Sequence, residues 1–168
     1  ERGDALARNI CIFSDGTGQG GTADAQTHTN VYRLYLACRE TPAAVQDCFY
    51  DPGLGAKGED RRSWGRRVHD TLSQATGLGI TRNIKDCYTA LVQVYEPGDR
   101  IFLFGFSRGA YTVRSLGGVL SLCGIPTVRG GTALRRPDAR LADPEIRRPS
   151  KAVAAAVEEA VEGVYKAY

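Results

Sequence analysis

With 168 residues, 42% hydrophobic and 24% charged, the chain has room for one domain with a real core and the ordinary composition of a soluble globular protein. A net charge of +3 is too small to point to nucleic acid, and no apolar run is long enough to span a membrane. Five scattered cysteines (Cys11, Cys38, Cys48, Cys87 and Cys123), odd in number and without a C-x-x-C pair, argue against a zinc site and a disulfide framework.

All five cysteines sit in apolar surroundings, and we expect buried, reduced thiols in a reducing, cytoplasmic compartment. The opening "ERGDALARNICIF" lacks the apolar core of a signal peptide. The chain contains no Met at all, so its start reads as trimmed or processed. There is no internal repeat and no low-complexity tract.

In chain order, Asn9 to Ser14 ("NICIFS") is a short apolar run of β-formers stopped by "DGTGQGG", a buried strand entering a glycine-rich loop. From Asn30 to Arg39, Val31, Leu34, Tyr35 and Cys38 recur at helical spacing, with Thr29 or Asn30 as N-cap. Val45 to Tyr50 is a second strand, ended by "DPGLG". Residues 56–76, polar and arginine-rich around Trp64 and His69, read as a lid-like excursion. Ile80, Ile84, Cys87, Tyr88, Leu91, Val92 and Tyr95 form the stripe of an amphipathic helix that stops at "EPGD".

"RIFLFGF" (Arg100 to Phe106) is the third strand, apolar on both faces as a central parallel strand would be. The helix after Ser107 is expected to bury Tyr111, Val113, Leu116, Leu120 and Cys123. Residues 126–149, with six arginines, four prolines and Gly130–Gly131, read as an extended connection. Residues 150–168 are helical again, capped by Ser150, with Val153, Val157, Ala160, Val161, Val164, Tyr165 and Tyr168 on one side. This alternation predicts one three-layer α/β/α domain over 1–168 with a mostly parallel sheet.

Ligands of such sheets meet the loops at the carboxyl ends of the strands, and Ser107 lies at one. "GFSRG" (Gly105 to Gly109) matches G-x-S-x-G in the context that pattern requires, apolar strand before and helix after. A sharp turn at the serine leaves no room for side chains two residues away, which Gly105 and Gly109 satisfy. The following helix turns its N–H groups toward the serine, and the Arg108 N–H would be one oxyanion donor. A second donor would come from the loop Asp15–Gly16–Thr17, through an N–H near Gly16 or Thr17. The plain alternative is a glycine-rich turn whose serine only caps the helix.

The same loop supports a different class. Gly16, Gly18 and Gly21 fit G-x-G-x-x-G after a strand, the fingerprint of dinucleotide binding. Against it, the helix starts near Asn30, well after the glycines, and Asp15 would face a pyrophosphate. Walker A is excluded because no lysine follows the glycines. A non-catalytic interaction domain is the third reading.

"IFSDGTGQ", "NVYRLY", "YDPGLG" and the run from Gly77 to Ile125 together resemble an uncharacterised α/β-hydrolase family of bacteria and fungi, domain of unknown function 2235. That family includes phospholipase effectors of the type VI secretion system. The resemblance implies an α/β-hydrolase-like fold and a Ser-Asp-His esterase or lipase with Ser107 as nucleophile and Asp15, Gly16 and Thr17 beside it. It implies a lipid or other ester as substrate, no metal or cofactor, and export by a route that uses no signal peptide.

The usual chain order is Ser, then acid, then His, yet both histidines, His28 and His69, precede Ser107. The family's Val-Trp-Asp-Thr-like and Gly-x-His-Ser-Asp-Val-Gly-like stretches do not occur here. We therefore expect the N-terminal part of a larger hydrolase domain, inactive alone, that associates with its missing part or a partner chain. We assign neither His28 nor His69 as base. The arginine-rich stretches alternate with acids and read as a solvated, ion-paired surface, with peripheral membrane contact as the alternative use.

Overall fold

The structure is a computed structural model that describes residues 7–16, 28–42, 44–53, 77–136, 140–141, 146 and 148–167, with the backbone alone for 77, 78 and 164–167. The excursion at 56–76, with Trp64 and His69, lies outside the described residues, as do Thr17, Gly18 and Gly21.

Three strands, β1 (Asn9–Ser14), β2 (Gln46–Asp51) and β3 (Arg100–Gly105), form a parallel sheet in the order β2-β1-β3. β1 is central and fully buried from Ile10 to Ser14, because its alternate side chains feed two different cores. Ile10 and Ile12 face α2 (Gly77–Val94), α3 (Arg108–Cys123) and α4 (Lys151–Ala167). Cys11 and Phe13 face α1 (Asn30–Arg39) with Val31 and Cys48. The result is an α/β arrangement with helices on both faces of a parallel sheet.

Two expectations need correction. β3 is the edge of this sheet and not its centre, and Phe102 is 42% exposed. Among the described residues no strand pairs its other side. In α3 the inward face is Gly109, Thr112, Leu116 and Val119, while Tyr111 is 60% exposed and Cys123 is exposed. The helix is rolled because Gly109 must lie against β1, which turns Tyr111 outward.

Residues 126–149 are also more than a connection. Gly130 and Gly131, both at positive φ, turn a short antiparallel hairpin of β4 (Val128–Arg129) and β5 (Thr132–Ala133). Leu134, Leu141 and Ile146 then enter the main core. They cover the flank of α2, which is buried on all sides from Cys87 to Val94. Even Gln93 is fully buried there, donating to the carbonyls of Thr89 and Ile146. In α4, Val153, Ala156, Val157 and Val161 are buried, and Ser150 caps the Val153 N–H at 3.3 Å.

Candidate active site

Because the strands run parallel and in register, Ser14, Asp51 and Gly105 end at the same rim. The segments that continue from them, Asp15–Gly16, Pro52–Gly53 and Phe106–Ser107, are therefore neighbours. Their backbones approach so closely that several positions admit only glycine. A Cβ on Gly109 would lie 1.9 Å from the Ser14 carbonyl oxygen, and one on Gly105 would lie 2.5 Å from that of Gly109. A Cβ on Gly53, at φ +71°, would lie 2.6 Å from the Gly16 oxygen.

Ser107 has φ 55° and ψ −121° and is the non-glycine residue at positive φ among the described residues. Such a conformation costs on the order of 1–3 kcal/mol and persists only where the surroundings impose it. Here the surroundings are the Phe106 N–H donated to the Ser14 carbonyl at 3.1 Å and the Gly109 N–H donated to the Phe106 carbonyl at 2.9 Å. The side chain is exposed and makes no capping bond to α3, so it does not do the job of a helix N-cap. Gly16 is beside it: a Cβ there would stand 3.2 Å from the Ser107 Cβ. Phe106 and Tyr111, 43% and 60% exposed, give this corner an apolar surface.

Asp15 is 1% exposed, and its carboxylate is fully engaged. Oδ1 accepts from the Gly16 N–H at 2.9 Å, and Oδ2 from the Thr29 hydroxyl at 2.5 Å and the Tyr50 hydroxyl at 2.9 Å. Thr29 accepts in turn from the Tyr32 N–H, so one hydroxyl caps α1 and anchors the loop after β1. Burial, then the Asp15 charge, push the Tyr50 phenol well above its ordinary range. The Gly16 N–H is thus committed to Asp15, and Thr17 lies outside the described residues.

Arg108 opens α3. Burial lowers its pKa, and the negative charge of Asp51 opposes that shift. Asp51 is 6% exposed and accepts from the Ser14 hydroxyl at 2.8 Å and the Gly53 N–H at 3.3 Å. From sequence, none of Ser14, Tyr50 and Asp51 is singled out for the site, and Thr29 only as a helix cap. Only their nearness to strand ends and to the helix start hinted at them.

His28 packs edge-on against Tyr32, ring centroids 4.6 Å apart. Among the described residues no group of three metal-ligating side chains forms. No helix there is long and apolar enough to cross a membrane. The dinucleotide reading needs a helix opening among the glycines; of these only Gly16 is described, and the first described helix, α1, opens at Asn30.

Residues 8–142 match the family model of T6SS phospholipase effectors, Tle1-like, catalytic domain. The chain is also similar to the uncharacterized protein YEL023C of Saccharomyces cerevisiae, 33% identical over 124 residues. That match covers 70% of this chain and 18% of the yeast protein. No solved structure matches. The matched region runs from the start of β1 past the β4–β5 hairpin and takes in Ser107 and all the residues around it, and on that match the chain belongs to the family of Tle1-like phospholipase effector catalytic domains of the type VI secretion system.

Proposed function

We propose that this domain carries the nucleophile of a serine ester hydrolase of the α/β-hydrolase type, with a phospholipid acyl ester as substrate. The observation that carries the reading is the strained, exposed Ser107 between Gly105 and Gly109, with its side chain next to Gly16. In this reading Ser107 Oγ attacks the ester carbonyl. The developing oxyanion lies at the N-terminus of α3, where the Arg108 N–H is one donor and an N–H of the loop near Gly16 or Thr17 the other. Asp15 holds the second loop in place through Thr29, Tyr50 and Gly16. The Asp51 carboxylate at the end of β2 contributes a favourable charge to Arg108 at the start of α3. The exposed Phe106 and Tyr111 lie where an acyl chain would run.

The acid and the base of the triad come from outside these 168 residues. No histidine follows Ser107 in this sequence, no described strand pairs the outer side of β3, and the match covers 18% of the yeast protein. Export from the producing cell follows the family's secretion system. The test is a fluorophosphonate probe applied to the full-length protein that contains this domain. Labelling should fall on Ser107 and vanish in Ser107→Ala. Labelling of another residue, or none, would end the reading.

A further inference from the structure

Cys11 and Cys48 are direct register partners on adjacent parallel strands. Both are buried, both are free, and both point to the α1 side of the sheet. Strand spacing in a sheet is about 4.8 Å, inside the roughly 4.4–6.8 Å range of Cα separations that a disulfide spans. The interaction between the two thiols holds the Cys11 pKa down and the Cys48 pKa up, with burial adding to the rise at Cys48. Cys38, half-buried at the end of α1, packs against the same cluster. None of these sulfurs takes part in the proposed ester hydrolysis. As packing alone they would be small hydrophobes. In register they are also a dithiol at a strand spacing that a disulfide can span.

We propose that Cys11 and Cys48 form an oxidation site, a dithiol that a hydroperoxide converts to a disulfide between β1 and β2. The Cys11 thiolate attacks the peroxide O–O bond. An S–O bond forms, the O–O bond breaks, and the alcohol (water, for hydrogen peroxide) leaves with a proton. The Cys48 sulfur then attacks the Cys11 sulfenic acid. The S–S bond forms, the S–O bond breaks, and the departing hydroxide takes the Cys48 proton as water. Two thiols and one hydroperoxide give one disulfide, one alcohol and one water, the thiols oxidised and the peroxide reduced. The new bond sits three residues before the register pair Ser14 and Asp51, so it fixes the spacing of the strands below the rim.

Tryptic cleavage separates the three thiols of this cluster, with Cys11 in residues 9–33, Cys38 in 34–39 and Cys48 in 40–57. The 168-residue chain, treated with hydrogen peroxide while folded, then alkylated and digested without reductant, should give 9–33 linked to 40–57. That species should be two hydrogens lighter than the two peptides together, and dithiothreitol should split it. Cys38→Ser should keep the link, and in urea the preference for this pair should disappear. A dominant link through 34–39, dimers through Cys123, sulfonic acids without a link, or a preference that survives urea would each overturn the proposal.

Discussion

Gly109 Cα is pressed so closely on the Ser14 carbonyl that a methyl group there would stand 1.9 Å from the oxygen. This contact between the first turn of α3 and the end of β1 sets where the helix begins and how it is rolled. Neither partner is a flexible side chain that could step aside. Gly109→Ala should therefore cost about 3 kcal/mol or more, by forcing backbone apart from backbone. Gly118→Ala, in the same helix with nothing within 4 Å of its Cβ, should gain about 0.5–1 kcal/mol. Urea unfolding of the two variants checks the contrast, and equal effects would contradict this geometry.

Ser107 pays a conformational penalty that glycine would not. Since its hydroxyl caps nothing, Ser107→Gly should stabilise the fold by about 1 kcal/mol while removing the proposed nucleophile. The measurement is a denaturation midpoint beside probe labelling. A loss of stability would mean that the hydroxyl has a structural partner.

Tyr50 donates to the buried Asp15 carboxylate. Tyr50→Phe should cost about 2 kcal/mol, the range for a hydrogen bond to a charged group. Combining it with Thr29→Val should cost more than the sum of the singles, because Asp15 Oδ2 then loses both hydroxyl donors. A double-mutant cycle on the denaturation midpoint reads the coupling, and strict additivity would show that the two hydroxyls act independently.

Asp47 is 3% exposed, and burial raises its pKa despite the Leu141 N–H at 3.0 Å and Arg8 at 3.9 Å. A raised carboxyl binds its proton more tightly in the folded state, so its contribution to stability is complete below the unfolded value near 3.8 and is lost as pH rises through the higher folded pKa. Asp47→Asn removes that dependence. The stability of the parent relative to Asp47→Asn should therefore increase as pH is lowered from 7 toward 4, measured by urea unfolding across that interval. A difference that shrinks on acidification would reverse the sign argued here.

Local pattern made much of this molecule readable. The bounds of β1 and α1, the Thr29 cap, the break after α2 and the turn at Ser107 all follow from short-range signals: apolar runs, cap residues, Pro-Gly and paired glycines. What was not readable depends on neighbours distant in the chain. β3 carries the apolar sequence of a central strand, but strand order is decided by which edges meet. The face that α3 buries is chosen by the Gly109 contact, not by its aliphatic stripe alone. Asp15 could be seen as a loop acid, but nothing nearby in sequence announces Tyr50, 35 residues away, as its partner. The arginines and prolines of 126–149 hid Leu134, Leu141 and Ile146, three isolated apolar residues with no periodicity to reveal them.

The outer side of β3 holds a row of backbone donors and acceptors that no described strand meets, and Ser107 stands just past its tip. A fourth strand laid alongside in the same direction would finish about 4.8 Å from that tip, level with the serine. Zipping up the sheet and furnishing the serine with its chemical partners would then be one event. In the proposed hydrolase, a latch made of main-chain hydrogen bonds would decide when the Ser107 hydroxyl becomes reactive.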